Sequence, residues 1–213
     1  MANMNDPDFN TNILVCDDND AIHKDFLKVL NALPDKKLDI DYLEEKLFED
    51  DPDDDVPNFH DPFDDIQFHI ESAYQGKDAL HMAEQAAAAG KPYSVIFMDV
   101  RMPPGWDGIL TSEKIWEKLP YTEIVIVTAY SDYTWEEMID KLGFNSRLLF
   151  IKKPFDTLTV KQLALNLTNK WNARDRSRRE LDLLNQELSD AGIAATPALE
   201  RRLQELKETL ETI

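Results

Sequence analysis

The sequence predicts an α/β protein built on a doubly wound, five-stranded parallel sheet. Short apolar segments recur along the chain, and each is followed by a stretch with the spacing of an amphipathic helix. Three of the five segments are continuous runs rich in Val, Ile or Phe, which is typical of strands buried on both faces of a parallel sheet. Five strand-then-helix units favour a sheet with helices packed on both of its faces.

The predicted elements alternate regularly along the chain. The strands are Ile13–Cys16, Ile66–Ile70, Val95–Met98, Ile124–Val127 and Leu148–Ile151. The helices are Ala21–Leu33, Gly76–Ala89, Ile109–Leu119, Tyr133–Leu142 and a stretch from Leu158 onward. In the first helix, the spacing of Leu27, Leu30 and Leu33 places them on one face. Cys16 is the one cysteine of the chain, and its apolar neighbours predict a buried strand residue.

An acidic segment interrupts this alternation between the first helix and the second strand. Residues 34–65 contain 14 acidic residues and three lysines, a net charge of −11 out of −19 for the chain. Asp51, Asp53 and Asp55 resemble the start of a calcium-binding EF-hand loop. However, Val56 occupies the glycine position and Pro62 the position of the bidentate glutamate. We therefore expect a solvated loop, with a docking surface for a partner as the alternative.

The chain beyond Phe155 is predicted to be helical for most of its length, with Thr157 as the first N-cap. Near its end, apolar residues are spaced alternately four and three residues apart, the pattern of a coiled-coil seam. They are Leu199, Leu203, Leu206, Leu210 and Ile213. We predict a dimeric coiled coil, and a helical hairpin packed within one chain is the alternative. Because the seam continues to the last residue, we expect an output region beyond it.

Polar side chains close four of the predicted strands. They are Asp17 and Asp18 after the first strand, Asp99 after the third, Thr128 at the fourth and Lys153 at the fifth. In a parallel sheet these ends share one edge, near the point where the strand order reverses. Three carboxylates in one crevice repel one another unless a cation neutralises them, and Mg²⁺ suits such a set of oxygen ligands. Asp99 would then be a nucleophile toward a phosphoryl group, with Thr128 and Lys153 compensating charge on the transferring oxygens.

Four motifs in this order resemble those of response-regulator receiver domains, the phosphoacceptor domains of two-component signalling. They are Asp17-Asp18, the run Val95–Pro103 around Asp99, Val127-Thr128-Ala129 and Lys153-Pro154-Phe155. The resemblance covers about residues 10 to 170 and implies the flavodoxin-like, CheY-like receiver fold. We therefore divide the chain into a receiver domain at 1–170, including the acidic insertion 34–65, and a helical coiled-coil linker at 171–213. The turn Met102–Gly108 is one residue longer than is usual in the family.

The resemblance implies a role for each matched residue. The phosphorylation site is Asp99, and the direct Mg²⁺ ligands are Asp18, Asp99 and the backbone carbonyl of Arg101, with Asp17 acting through water. Thr128 and Phe150 form a switch that turns inward on phosphorylation. A sensor histidine kinase or a phosphotransfer protein would be the phosphoryl donor. The receiver would signal as a homodimer through its C-terminal helices to the output region.

A phosphatase of the haloacid dehalogenase type is the alternative from another class. Such enzymes also combine an Asp nucleophile, Mg²⁺, a Thr or Ser and a Lys, and Asp18-Asn19-Asp20 matches the opening of their first motif. They need a further acidic pair beyond the lysine, where only Asp156 follows closely, and they give Asp99 no role. We therefore expect a phosphoacceptor domain, not an enzyme, whose chemistry is limited to its own phosphorylation and dephosphorylation.

Composition and charge set the expected surroundings of the protein. A net charge of −19 repels nucleic acid and anionic lipid, so we expect neither as a partner. The longest apolar runs fall well short of the roughly 20 residues that span a bilayer, and the N-terminus is acidic and polar, so we expect a cytoplasmic location. The four histidines have no metal-ligand spacing, and we expect them at the surface.

Overall fold

A computed structural model describes residues 9–31, 66–129, 135–143, 146–191 and 197–212. Five parallel strands form one sheet: β1 (Asn12–Cys16), β2 (His69–Ala73), β3 (Val95–Asp99), β4 (Glu123–Thr128) and β5 (Leu148–Lys152). Their order across the sheet is β2-β1-β3-β4-β5, so the order reverses between β1 and β3. The acidic segment 34–65 lies outside the described residues.

Six helices are described in these ranges. They are α1 (Asp20–Asn31), α2 (Gly76–Ala88), α3 (Gly108–Lys118), α4 (Trp135–Leu142), α5 (Thr157–Ala191) and α6 (Pro197–Thr212). The predicted α/β class, the five parallel strands and the C-terminal helical extension are confirmed. Within the described part of the chain, no helix has the length and apolar character that crossing a membrane requires.

Alternate residues of the central strands pack into two hydrophobic clusters, one on each face of the sheet. In β3, Ile96 and Met98 belong to one cluster, and Val95 and Phe97 to the other. Helices α2, α3 and α4 contribute to the first cluster, whereas α1 and α5 contribute to the second. Every residue of β3 and β4 is buried, which explains why most of both strands appears as a continuous apolar run in the sequence.

Strand β2 begins three residues later than predicted. Ile66 and Phe68, on which the prediction Ile66–Ile70 depended, are buried just before the strand begins at His69. The strand itself is only partly buried and lies at the edge of the sheet beside β1. An edge strand needs no continuous apolar run, so the apolar pattern identified the core residues just before β2 and not the start of the strand itself.

The buried face of α1 differs from the predicted one. Leu27 is 42% exposed, whereas His23, Phe26 and Leu30 are buried. Those three residues also have helical spacing, so the periodicity is compatible with either face of the helix. The prediction relied on the leucines alone and therefore chose the wrong face. Leu33 lies outside the described residues. Cys16, by contrast, is fully buried in β1 as predicted.

Helix α5 begins at a cap that differs from the predicted one. The carboxylate of Asp156 accepts a hydrogen bond from the backbone N–H of Thr159 at 2.8 Å, so Asp156 is the N-cap in place of Thr157. The helix then packs on the sheet through one buried face, which comprises Val160, Ala164, Leu167, Trp171 and Arg174. The predicted domain boundary at residue 170 therefore falls within a packed helix, and it stays a prediction.

Helix α6 packs against α5 within the same chain. The Arg202 guanidinium of α6 donates to the carboxylate of Glu180 on α5 at 2.7 Å, and Leu206 is 4% exposed. This arrangement corresponds to the helical hairpin that the sequence left open as an alternative. Dimerisation stays a prediction.

Candidate functional site

Four strands bring the predicted site residues to one edge of the sheet, because their carboxyl ends all lie there. These residues are Asp17 after β1, Asp99 at the end of β3, Thr128 at the end of β4 and Lys153 after β5. The Lys153 ammonium donates to Oδ2 of Asp17 and to Oδ1 of Asp99, each at 2.6 Å. One cation therefore bridges two carboxylates from different strands.

Asp18 completes an acidic cluster with Asp17 and Asp99. One carboxylate oxygen from each of the three lies within 4.8 Å of the other two. Asp17 and Asp99 are buried, and Asp18 is exposed. Three carboxylates against the single Lys153 ammonium leave excess negative charge when all are ionised. Oxygen donors with this charge are what hard divalent cations prefer, so the residue set fits Mg²⁺.

Backbone hydrogen bonds fix the two buried carboxylates. Oδ1 of Asp17 accepts from the Asn19 N–H at 2.9 Å, and the Asp17 N–H donates to the Ala73 carbonyl at 3.1 Å. Oδ2 of Asp99 accepts from the Arg101 N–H at 2.9 Å. Each carboxylate thus uses one oxygen for the backbone and the other for Lys153, which sets its orientation.

Gly108 allows the chain to fold back tightly over Asp99. Its N–H donates to the Val100 carbonyl at 2.9 Å. A Cβ at this position would lie 2.0 Å from the Asp99 carbonyl oxygen, so a residue with a side chain does not fit. Helix α3 then starts at once, with Asp107 as its N-cap accepting from the Leu110 N–H at 2.8 Å. Sequence reasoning assigned no role to Gly108, although it closes the turn that was noted as unusually long.

The pKa values of Asp99 and Lys153 are both raised, but by different causes. Burial raises the pKa of Asp99 above its ordinary value, although hydrogen bonding and charge from Lys153 oppose this effect. Burial also lowers the pKa of Lys153, but its hydrogen bonds to Asp17 and Asp99 outweigh it, so this pKa is raised. Lys153 therefore stays protonated at neutral pH, and Asp99 is the group whose ionisation the pocket resists.

The predicted switch residues lie on the neighbouring strands β4 and β5. Thr128 is 5% exposed, and its hydroxyl donates to the Ala129 carbonyl at 2.9 Å. Phe150 is half-buried and packs against the cluster that contains Met98. The Arg101 side chain is exposed, and its backbone lies directly after the strand that carries Asp99. The functional roles of these residues stay predictions.

His23 is a residue of the site that sequence reasoning missed, because all four histidines were expected at the surface. It is 3% exposed, and its Nε2–H donates to the backbone carbonyl of Asp17 at 2.8 Å. Its ring lies 4.5 Å from that of Tyr74, the residue after β2. His23 therefore links the loop after β1 to the loop after β2. Its spacing of three residues to Phe26 and seven to Leu30, on one helical face, was the signal that could have placed it inside.

Comparison with known proteins gives one family. A family model described as the response regulator receiver domain matches residues 49–164. The osmosensing histidine protein kinase SLN1 of Saccharomyces cerevisiae is 33% identical over 111 residues, which cover 52% of this chain and 9% of that protein. The oxygen regulatory protein NreC of Staphylococcus haemolyticus is 34% identical over 64 residues, which cover 26% of this chain and 30% of that protein. This chain therefore matches only a minor part of each relative.

Solved structures with the same fold are similar in architecture but distant in sequence. An adenylate cyclase structure from Rhodopirellula baltica has a TM-score of 0.55 and 18% identity, covering 81% of this chain and 98% of that one. A CheY-like response regulator receiver domain protein from Methanospirillum hungatei has a TM-score of 0.51 and 16% identity, covering 76% and 97%. At these identities the likeness shows the fold alone. The family model, however, spans more than half of the residues, so the chain belongs to the response regulator receiver domain family, the phosphoacceptor signalling domains of two-component systems.

Proposed function

We propose that Asp99 accepts a phosphoryl group from a sensor histidine kinase or a phosphotransfer protein in an Mg²⁺-dependent reaction. The observation that carries the proposal is the Lys153 ammonium, 2.6 Å from the carboxylates of both Asp17 and Asp99. This contact supports the proposal because the proposed nucleophile, a second acid and a positive charge lie together in one pocket. Phosphoryl transfer depends mainly on such positioning and charge compensation.

The acidic cluster would hold the metal. Asp18, Asp99 and the backbone carbonyl of Arg101 are the proposed direct ligands, and Asp17 would act through water. When bound, Mg²⁺ would offset the negative charge of the carboxylates and of the phosphoryl oxygens. Because burial raises the pKa of Asp99, the positive charge of Lys153 helps to keep the nucleophile ionised.

In the proposed step, a carboxylate oxygen of Asp99 forms a bond to phosphorus and gives an acyl phosphate. The bond between phosphorus and the donor's imidazole nitrogen breaks, and the imidazole keeps the electron pair. Lys153 would donate to one transferring oxygen. The Thr128 hydroxyl, which donates to the Ala129 carbonyl at 2.9 Å, would turn to donate to another.

Reorientation of Thr128 is the proposed start of the signal. Its strand β4 pairs with β5, where Phe150 lies opposite Ile126. Inward movement of Phe150 would fill space that Thr128 leaves, and the chain then runs from β5 directly into α5. We therefore propose that phosphorylation shifts the balance between two conformations of this face and that the C-terminal helices carry the change to an output region.

The phosphatase alternative predicts a different nucleophile. It would use Asp18, which is exposed, whereas Lys153 contacts the buried Asp17 and Asp99. A receiver is labelled once at a single site, while a phosphatase turns over free phosphomonoesters continuously. Steady hydrolysis of p-nitrophenyl phosphate that survives Asp99→Asn would favour the phosphatase.

The proposal is tested by incubating the chain with acetyl phosphate and Mg²⁺ and measuring its intact mass. We expect one added phosphoryl group in the wild type, and none when Mg²⁺ is replaced by EDTA. Asp99→Asn should abolish the labelling. Asp25→Asn, the same change at an exposed position of α1, is the matched control and should leave it intact. Label that persists in Asp99→Asn would contradict the proposed phosphorylation site.

A further inference from the structure

A cleft outside the acidic pocket lies at the amino ends of the strands, opposite Asp99. It has a volume of about 360 Å³, and it lies between the turns that precede β3 and β4 and the middle of α5. The lining residues that matter here are Lys118, Tyr121, Trp171, Asp175, Arg178 and Arg179. The volume is toward the lower end of the roughly 300–1,000 Å³ typical of small-molecule sites.

The cleft is positively charged in a protein that is otherwise strongly acidic. Five cationic side chains fall within residues 170–179, although the net charge of the chain is −19. Arg178 and Arg179 from this stretch line the cleft together with Lys118, against the single carboxylate of Asp175. The lining therefore attracts anions while most of the surface repels them.

A buried carboxylate holds two of these cations in place. The Asp175 side chain is 9% exposed and contacts the Arg178 guanidinium at 2.5 Å and the Arg179 guanidinium at 2.7 Å. Each guanidinium has five N–H donors, so one ion pair leaves donors available to a ligand. Fixed arginines lose less side-chain entropy when they bind an anion, which favours recognition of phosphate.

An aromatic surface lies beside these charges. Tyr121 is 43% exposed, and the Arg178 guanidinium lies 5.0 Å from the centroid of its ring. Trp171 is 5% exposed and contributes the wall from α5. Exposed aromatic rings and flat guanidinium groups are surfaces on which nucleobases stack.

From this combination we propose that the cleft binds a small phosphorylated ligand with a planar ring, of the nucleotide class. Lys118, Arg178 and Arg179 contact its phosphates, and Tyr121 stacks on its ring. The ligand touches both the turn before β4 and the helix α5, so its binding stabilises the contact between the receiver and the C-terminal helices. The cleft lies at the other end of the strands from Asp99, so the ligand and a phosphoryl group on Asp99 would occupy separate pockets.

The test is a titration of the full chain with ADP by isothermal titration calorimetry. EDTA is included, so that no metal can bridge the phosphates to the acidic cluster. We expect saturable binding at one site, competition by inorganic pyrophosphate, and at least about tenfold weaker binding of adenosine, which lacks phosphate. Lys118→Gln and Arg179→Gln should each weaken ADP binding about tenfold, the effect of one lost charge-assisted hydrogen bond. Tyr121→Ala should weaken the binding of ADP but not of pyrophosphate.

Lys114→Gln is the matched control, because it removes the same charge from the same helix outside the cleft. It should change the affinity for ADP less than twofold, and thermal melts should show that every variant is folded. The proposal is overturned by the absence of saturable ADP binding at millimolar concentrations. Equal weakening by Lys114→Gln would also overturn it, since only the net charge would then matter. Equal affinity for ADP and pyrophosphate would overturn the assignment of the ring to Tyr121.

Discussion

Asp99 combines two properties that oppose each other in a folded protein. It is 6% exposed, and burial raises its pKa, so folding disfavours the ionised form that the proposed nucleophile needs. Lys153 offsets this cost only in part, because the ammonium is shared with Asp17. Without a metal, the charge on Asp99 therefore works against stability.

We predict that Asp99→Asn raises the melting temperature of the metal-free protein at pH 7.5. The pKa of Asp99 is higher in the folded protein than in the unfolded chain, so folding favours the protonated carboxyl group. Its contribution to the free energy of unfolding is complete below the pKa of the unfolded chain, about 4, and is lost as the pH rises through the pKa of the folded protein. The difference between variant and wild type should therefore shrink as pH falls toward about 4. Each kcal/mol corresponds to roughly 2–4 °C in a protein of this size. The melting temperatures of wild type and variant are measured by differential scanning calorimetry in EDTA. A variant that melts below the wild type at pH 7.5 would contradict the prediction.

The residues of the pocket differ in how far the sequence could identify them. Asp17, Asp99 and Lys153 could be placed together because parallel strands bring their carboxyl ends to one edge. The spacing of His23 could have placed it inside the fold, but neither His23 nor Gly108 could be assigned to the pocket, because both act through backbone carbonyls of Asp17 and Asp99. A sequence pattern shows which residues are polar, but a contact with a backbone carbonyl can be identified only from the three-dimensional structure of the loops.

At the scale of elements, β4 carries a buried polar side chain at each end. Its carboxyl end is Thr128, and its amino end is Glu123, which is fully buried. Glu123 contacts the Lys170 ammonium at 3.1 Å and the Arg174 guanidinium at 2.8 Å. One short strand thus connects the acidic pocket to the middle of α5. The sequence pattern identified only the apolar interior of this strand, because the partners of Glu123 lie more than 40 positions away.

We predict strong coupling between Glu123 and Arg174 in a double-mutant cycle of Glu123→Gln and Arg174→Gln. Glu123→Gln leaves Arg174 buried without its charge partner, which costs about 3–5 kcal/mol, whereas Arg174→Gln leaves Glu123 with Lys170 alone. The double variant avoids part of that cost. The coupling free energy from urea unfolding should exceed about 1 kcal/mol. The exposed pair Glu180–Arg202 is the matched control, with an expected coupling of about 0.2–1 kcal/mol. Equal coupling free energies in the two pairs would show that burial of Glu123 does not strengthen its interaction with Arg174.

At the scale of the whole molecule, the fold extends beyond the residues that the family model matches. That match begins at residue 49, yet β1 spans Asn12–Cys16 and lies between β2 and β3. Four of its five residues are buried, and Asp17 follows it directly. The acidic segment 34–65 therefore separates one central strand from the rest of its sheet along the chain.

We predict that a fragment of residues 49–213 does not fold cooperatively. Loss of β1 leaves β2 and β3 without their shared partner and exposes apolar residues on both faces of the sheet. Far-UV circular dichroism should show a gradual thermal change in place of the cooperative transition expected for the full chain. A sharp transition in the fragment near that of the full chain would contradict the prediction.

Dimerisation through residues 181–213 is the last prediction, and the helical hairpin sharpens its test. Leu206 is buried where α6 packs on α5, whereas Leu183 on α5 is 61% exposed and remains available to a second chain. We expect light scattering to give about twice the monomer mass of 24.6 kDa. Leu183→Glu, or truncation after Trp171, should give a monomer, and Lys207→Glu, an exposed change on α6, should not.

The net charge of −19 on each chain opposes this association. Added salt screens that repulsion, since the Debye length falls from about 10 Å at 0.1 M to about 3 Å at 1 M. We therefore expect the dimer to tighten as the NaCl concentration rises, the opposite of what an interface held by ion pairs would show. If the full chain is a monomer at every salt concentration, as the chain truncated after Trp171 is expected to be, the apolar seam of α6 is used entirely within the hairpin.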